Sequence, residues 1–147
     1  LKIRGDSTSQ TTHIVNTPSG GGNGVASQHV TQPYGMSGNY TNFRVTITVS
    51  SWHSFFLKIY VSGYSGHTAH RWVTGYCNNG FGTVRTVLSN DGGNFGSGTL
   101  THISGQQWRY DLSMNSGTCT HPVMLVELAV AGNGNVLGSG AVVCAIT

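Results

Sequence analysis

The side chains with the greatest capacity for chemistry lie close together in residues 60–76, which read YVSGYSGHTAHRWVTGY. This stretch carries imidazole, guanidinium, indole and phenol groups. Such groups can serve a metal centre, an acid–base catalyst, or a surface that binds a polar ligand by stacking and hydrogen bonding. The rest of the sequence decides among these three kinds of site.

A metal centre is the least supported of the three. His67 and His70 are three residues apart, a spacing that shares one face of a helix but occupies opposite faces of a strand. The glycines at positions 63, 66 and 75 favour a loop followed by a strand, and no carboxylate lies close by in the sequence to complete a coordination shell. We therefore expect no metal site within the chain and no cofactor.

A catalytic site has few residues to draw on. The carboxylates are Asp6, Asp91, Asp111 and Glu127, and a glycosidase pair would have to come from these four. Neither the GxSxG motif nor a cysteine–histidine signature is present. We therefore predict no catalytic residues and a protein that is not an enzyme. Because Glu127 lies in the apolar run PVMLVELAVAG, we expect it to be buried and paired with an arginine: Arg44, Arg85 or Arg109.

Two interpretations of the stretch stay open: a polar loop that leads into a strand and binds nothing, and a loop that contacts a ligand. Gly63 and Gly66 allow a tight turn, so we predict that YSGHTAHRW forms a loop at an exposed end of the fold and continues into a strand near Trp72. Loops carry binding residues because rigid strands fix their ends. Stacking faces beside hydrogen-bond donors suit sugars. The predicted ligand-binding residues, all expected at the surface, are Tyr64, His67, His70, Arg71 and Trp72.

Charge is scarce along the whole chain. Of 147 residues only 7% are charged, against about 25% in an average soluble domain. The seven Lys and Arg residues are scattered, which excludes a nucleic-acid patch. We expect no signal peptide, and no window of about 18 apolar residues predicts membrane insertion. Because the sequence begins with Leu1, we expect a fragment or a processed product.

The three cysteines are odd in number and show no CxxC spacing. A disulfide framework normally uses an even set. We therefore predict no intrachain disulfide network and buried free thiols at Cys77, Cys119 and Cys144.

The elements that must position these residues are strands. From residue 43 onward, apolar and polar residues alternate with the period of a half-buried strand, and turn signals recur about every ten residues. This pattern predicts an all-β fold, an antiparallel, jelly-roll-like β-sandwich of about eight strands. The predicted core consists of Phe55, Leu57, Ile59, Trp108, Tyr110, Leu112, Val126 and Leu128.

The first part of the chain has a different composition. Residues 5–42 are rich in Gly, Ser, Thr and Asn and lack apolar periodicity. We therefore predict two regions: 1–42 as an extended low-complexity arm or shaft connection, ordered only against other subunits, and 43–147 as a β-sandwich head. The RGD tripeptide at 4–6 and the glycosylation sequon at 39–41 are too short to assign a role.

The low charge, the polar N-terminal region and the β-rich remainder together resemble the C-terminal receptor-binding head of a bacteriophage tail fibre or tailspike. The segments that carry the resemblance are TNFRVTITVS, FFLKIYVSGY and GSGTLTHISGQQWRYDLSM, and it covers roughly residues 36–147. It implies a homotrimer in the virion, made in the host cytoplasm, that attaches to a host-surface glycan or protein receptor. A three-fold axis could also gather three copies of His13, His29 or His102 around a metal.

Two other functions fit the same residues. One is a structural β-sandwich subunit of a capsid, decoration or filament assembly, in which the first 42 residues would be exchanged between neighbours. The other is a free lectin or a carbohydrate-active enzyme.

Overall fold

The structure is a computed structural model that describes residues 13–17, 25–49, 53–64, 66–77, 84–89, 94–133 and 141–147. Within these ranges the regular elements are all β-strands. In chain order they are β1 (His13–Thr17), β2 (Val25–Gly35), β3 (Asn39–Tyr40), β4 (Asn42–Thr48), β5 (His53–Ser62), β6 (Thr68–Cys77), β7 (Val84–Ser89), β8 (Thr99–Ser104), β9 (Gln107–Ser113), β10 (Cys119–Thr120), β11 (Val123–Asn133) and β12 (Val142–Ile146).

The strands form three antiparallel sheets. A six-stranded sheet has the order β1-β2-β11-β5-β6-β7, a four-stranded sheet has the order β12-β4-β9-β8, and β10 pairs with β3 at one end. Among the described strands, the chain crosses directly between the two large sheets from β4 to β5, from β7 to β8 and from β11 to β12. The predicted all-β class and the sandwich are confirmed, whereas the exact jelly-roll order stays a prediction.

The core lies between the inner faces of the two large sheets. All eight residues predicted for it are buried, each at most 5% exposed. Contact between the sheets is partly aromatic, because the rings of Phe55 in β5 and Trp108 in β9 are 6.3 Å apart. The alternation read from the sequence therefore assigned the inner face of these strands correctly.

The N-terminal region contributes to the larger sheet. β2 pairs with β11 along its whole length, from Gly35 opposite Val123 to Val25 opposite Asn133, and β1 pairs with β2. This pairing is made within one chain, whereas we expected residues 5–42 to be ordered only against other subunits. The boundary between residues 42 and 43 stays a prediction, and the RGD tripeptide lies outside the described residues.

The cysteines agree with the prediction. Cys77, Cys119 and Cys144 are all free and buried. Burial raises the pKa of the Cys144 thiol to about 12 and also raises that of Cys119. Both thiols are therefore poor nucleophiles near neutral pH.

Among the residues that the structure describes, no helix is long and apolar enough to span a bilayer.

Candidate functional site

Residues 60–76 belong to a β-hairpin and include the end of its first strand, its turn and nearly all of its second strand. β5 and β6 pair from Ser62 opposite Thr68 to His53 opposite Cys77. The turn is closed by the Gly63 amide, which donates to the His67 carbonyl at 2.9 Å. Gly66 has a φ of 78°, a conformation that glycine adopts without strain. Because β6 begins at Thr68, the loop predicted by the sequence is shorter than expected, and three of the five predicted site residues lie in the strand.

Strand alternation separates those three residues. His70 and Trp72 point outward and are exposed, whereas Arg71 between them points into the core and is 1% exposed. The expectation that Arg71 lies at the surface is wrong, because it shares the buried face of β6 with Ala69 and Val73.

The buried guanidinium of Arg71 has defined partners. Its Nη1 donates to the His70 carbonyl at 3.0 Å, and its Nη2 donates to the Gly96 carbonyl at 2.6 Å. Gly96 lies in the segment that leads into β8, next to Phe95, whose ring packs against Phe43. Arg71 therefore joins this segment to the six-stranded sheet instead of meeting a ligand.

The hairpin turn carries the other two predicted residues. Tyr64 is 87% exposed, and its ring makes an edge contact with His121, the centroids being 6.5 Å apart. The Tyr64 amide donates to the Thr120 carbonyl at 2.8 Å, which holds the turn against β10. His67 is half-buried. Tyr64 thus projects from the end of the sandwich, as predicted.

The outer face of β5 and β6 carries a group of rings that we call the aromatic face: Phe56, Tyr60, His70, Trp72 and Tyr76. Tyr60 and His70 are directly opposite in the ladder and their rings are 5.1 Å apart. Phe56 and Trp72 are diagonal neighbours with ring centroids 6.4 Å apart. From His70 to Tyr76 the face extends about 20 Å, given about 3.4 Å per residue in a strand.

The centre of the aromatic face contains an ion pair. Lys58 of β5 lies 3.5 Å from a carboxylate oxygen of Glu127 in β11, and these two residues are directly opposite in the ladder. The Lys58 ammonium also lies 5.6 Å from the centre of the Phe56 ring. The expectation that Glu127 is buried and paired with an arginine is therefore wrong: its side chain is half-exposed and its partner is a lysine.

The aromatic face combines flat apolar surfaces with polar atoms. Within the described part of the chain, the Trp72 indole nitrogen, the Tyr60 hydroxyl and the His70 imidazole make no recorded hydrogen bond. This combination can stack on the apolar side of a sugar ring and bond its hydroxyl groups. Phe56, Tyr60 and Tyr76 were not among the predicted site residues, although their alternation with buried residues places them on the same face as Trp72.

The two carboxylates among the described residues lie on different sheets. Asp111 lies on the outer face of the four-stranded sheet and Glu127 on that of the six-stranded sheet, and each is ion-paired. Asp6 and Asp91 lie outside the described residues. No group of three potential metal ligands occurs in the described ranges. His102 is exposed, whereas the side chains of His13 and His29 are outside the description, so the proposed axial metal site stays a prediction.

The sequence matches no protein-family model, and no curated protein matches it. The fold is similar to part of a solved structure, the tailspike protein gp49 of the Acinetobacter baumannii bacteriophage Fri1, described as a capsular polysaccharide depolymerase. The TM-score is 0.54 at 12% identity, and the match covers 92% of this chain but 21% of that one. This chain therefore spans about a fifth of the tailspike, and the likeness is one of fold.

That similarity corrects one expectation from the sequence. We predicted that the protein is not an enzyme, and this is contradicted because the tailspike that shares the fold is described as a depolymerase. The carboxylates of this chain alone could not decide the question, because a chain that matches a fifth of a larger protein need not carry that protein's catalytic residues. The resemblance to phage tailspikes holds at the level of the fold.

Proposed function

We propose that this chain is a domain of a phage tailspike or tail fibre that holds a bacterial surface polysaccharide against the aromatic face. The observation that carries the proposal is the row of outward rings on β5 and β6, with Trp72 39% and Tyr76 47% exposed. The tailspike-like fold supports it. Because that tailspike is described as a depolymerase, the proposal includes cleavage of the bound polysaccharide by the protein that carries this domain.

The shape and chemistry of the aromatic face favour a chain of sugars over a compact ligand. Its rings follow the strands for about 20 Å, which is long enough to contact several successive sugar residues. Sugar rings present apolar C–H faces that stack on indole and phenol rings, and their hydroxyl groups meet donors such as Lys58 and the Trp72 N–H. Tyr64 and His67 extend the same hairpin and remain in the proposed site, whereas Arg71 supports it from inside.

Several linked sites can hold a polysaccharide firmly even when each single site binds it weakly. A millimolar dissociation constant corresponds to about 4 kcal/mol per site. We propose a homotrimer in the virion, so that three sites act together on one polysaccharide. Linked sites can raise the apparent affinity by about 10²-fold or more without any new contact.

Replacement of Trp72 tests the proposal. Wild-type protein, Trp72→Ala and the control Ile103→Ala are measured for binding to a panel of immobilised bacterial capsular polysaccharides. Ile103 is 42% exposed on β8, in the other sheet. We expect the wild type to bind at least one polysaccharide, Trp72→Ala to bind it about tenfold more weakly, and Ile103→Ala to match the wild type.

The same proteins separate binding from a structural role for the aromatic face. If a neighbouring subunit covers these rings, as in a purely structural β-sandwich, Trp72→Ala should lower the mass found by light scattering. Loss of the oligomer together with absence of polysaccharide binding by the wild type would reject the proposal. An unchanged oligomer with weaker polysaccharide binding is the expected result.

A further inference from the structure

The outer face of the four-stranded sheet, on the opposite side of the sandwich from the aromatic face, carries a cluster that we call the arginine clamp: Arg44, Asp111 and Arg109. Arg44 of β4 is directly opposite Asp111 of β9, and Arg109 lies two positions before Asp111 on the same strand. Period-two alternation therefore places all three side chains on one face.

The carboxylate of Asp111 binds both guanidinium groups at once. Arg44 Nε lies 2.6 Å from Asp111 Oδ1, and Arg109 Nε lies 2.7 Å from Asp111 Oδ2. Both contacts use Nε, and no hydrogen bond from either pair of terminal nitrogens to another described residue is recorded. Two cations and one anion leave one net positive charge, with terminal N–H donors that still require acceptors.

A shallow depression of about 280 Å³ lies beside the arginine clamp. Its lining includes Arg44 and Asp111 together with Asn42, Ser113 and Thr147. The Ser113 hydroxyl donates to the Asn42 side-chain oxygen at 2.9 Å, which fixes this polar wall. The volume lies just below the range of about 300–1,000 Å³ of pockets for drug-sized ligands, so it suits one acidic group or one sugar residue.

We propose that the arginine clamp is a second binding site, which takes an oxyanion carried by a sugar, either a carboxylate or a phosphate. Guanidinium groups bind such anions through paired N–H donors. Asp111 has a positioning role, because it holds the two side chains in place before the ligand arrives. The anion site does not depend on the aromatic face; only the idea that both sites hold one polysaccharide depends on the proposed function.

The test is an NMR titration of the ¹⁵N-labelled protein that follows the arginine Nε–Hε signals. Methyl glucuronide supplies a carboxylate, glucose 6-phosphate supplies a phosphate, and methyl glucoside is the neutral control. We expect saturable shifts of the Arg44 and Arg109 signals with at least one acid and none with methyl glucoside. The acid that binds more tightly identifies the source of the anion. Absence of a saturable shift with both acids would overturn the proposal.

Three variants test the geometry. Arg44→Gln should weaken acid binding at least fivefold, as read from the Arg109 signal, whereas Lys58→Gln makes the same charge change on the other sheet and should have no effect. If Arg44→Gln and Lys58→Gln weaken acid binding equally, the acid is held only by the overall positive charge of the protein. Asp111→Asn makes the face more positive, so general attraction predicts tighter binding, whereas loss of the positioning carboxylate predicts weaker binding. Tighter binding would contradict the proposal.

The experiments can reject either of the two proposed binding sites without rejecting the other. Trp72→Ala should leave the acid-induced shifts unchanged while it weakens polysaccharide binding. If the acids bind but no polysaccharide does, the anion site stands and the proposed function falls.

Discussion

Replacement of Arg71 by alanine should destabilise the fold far more than replacement of its neighbour His70. The two residues are adjacent in β6, but Arg71 is buried and His70 is exposed. By residue type alone, both positions would be expected at the polar surface. The comparison therefore tests whether alternation, and not side-chain chemistry, decides the role of each residue in this strand.

The size of the effect follows from the contacts of Arg71. The charged group donates to two carbonyl oxygens, those of His70 and Gly96, and hydrogen bonds to charged groups contribute about 1.5–3 kcal/mol each. Removal of a large buried side chain adds a cavity term, offset by the desolvation of the cation that alanine no longer requires. We expect Arg71→Ala to lower the free energy of unfolding by about 4 kcal/mol. For His70→Ala, which loses mainly the contact with Tyr60, we expect about 0.5 kcal/mol.

Urea denaturation followed by circular dichroism measures both variants. The difference between them should be about 3.5 kcal/mol, with similar dependence on urea. Arg71→Met serves as a control that keeps most of the volume, and it should fall between the other two because it loses the hydrogen bonds but creates little cavity. If Arg71→Ala is as stable as His70→Ala, the buried position of the guanidinium is refuted.

Three further predictions concern how substitutions change the stability of the fold. Gly98→Ala should cost about 3 kcal/mol and Gly66→Ala about 1 kcal/mol in urea unfolding, since both have positive φ but only at Gly98 would the new Cβ overlap the Tyr110 hydroxyl. Trp108→Ala should cost about 3–5 kcal/mol, and a loss below 1 kcal/mol would contradict its place in the core. Burial raises the pKa of the Cys144 thiol from 9.0 to about 12 in the folded state, so between pH 9 and pH 12 the unfolded state loses its proton first. Wild-type stability should then fall by about 1.4 kcal/mol per pH unit relative to Cys144→Ala, and parallel pH profiles would contradict this.

Patterns among neighbouring residues in the sequence were sufficient to predict which side chains lie in the interior of the sandwich. Phe55, Leu57 and Ile59 recur at every second position of β5, and the continuous apolar run around Val126 indicates a central strand. These signals lie within a few residues of one another, so no knowledge of distant partners is needed. The same rule applied to β6 would have placed Arg71 inside, because Ala69 and Val73 flank it at period two.

Partners distant in the sequence could not be read in this way. β2 lies in a region without apolar periodicity, and its place in the sheet depends on β11, which begins at Val123. Strand preference depends on such pairing as much as on residue type. To predict the partner of Glu127, one must know the register between β11 and β5, because that register places Lys58 directly opposite Glu127. An arginine was the natural expectation only while that register was unknown.

The same separation by register would allow one sandwich to carry both of the proposed binding sites. On the outer face of β5 and β6 the ladder gathers rings around a single ion pair, which leaves a flat surface with little net charge. On β4 and β9 it sets two arginines around one aspartate, which leaves a positive charge. Charged residues are only 7% of the chain, so most of its polar side chains carry hydroxyl or amide groups. In that setting two opposite faces with concentrated rings and concentrated charge are the places where an acidic polysaccharide would be recognised.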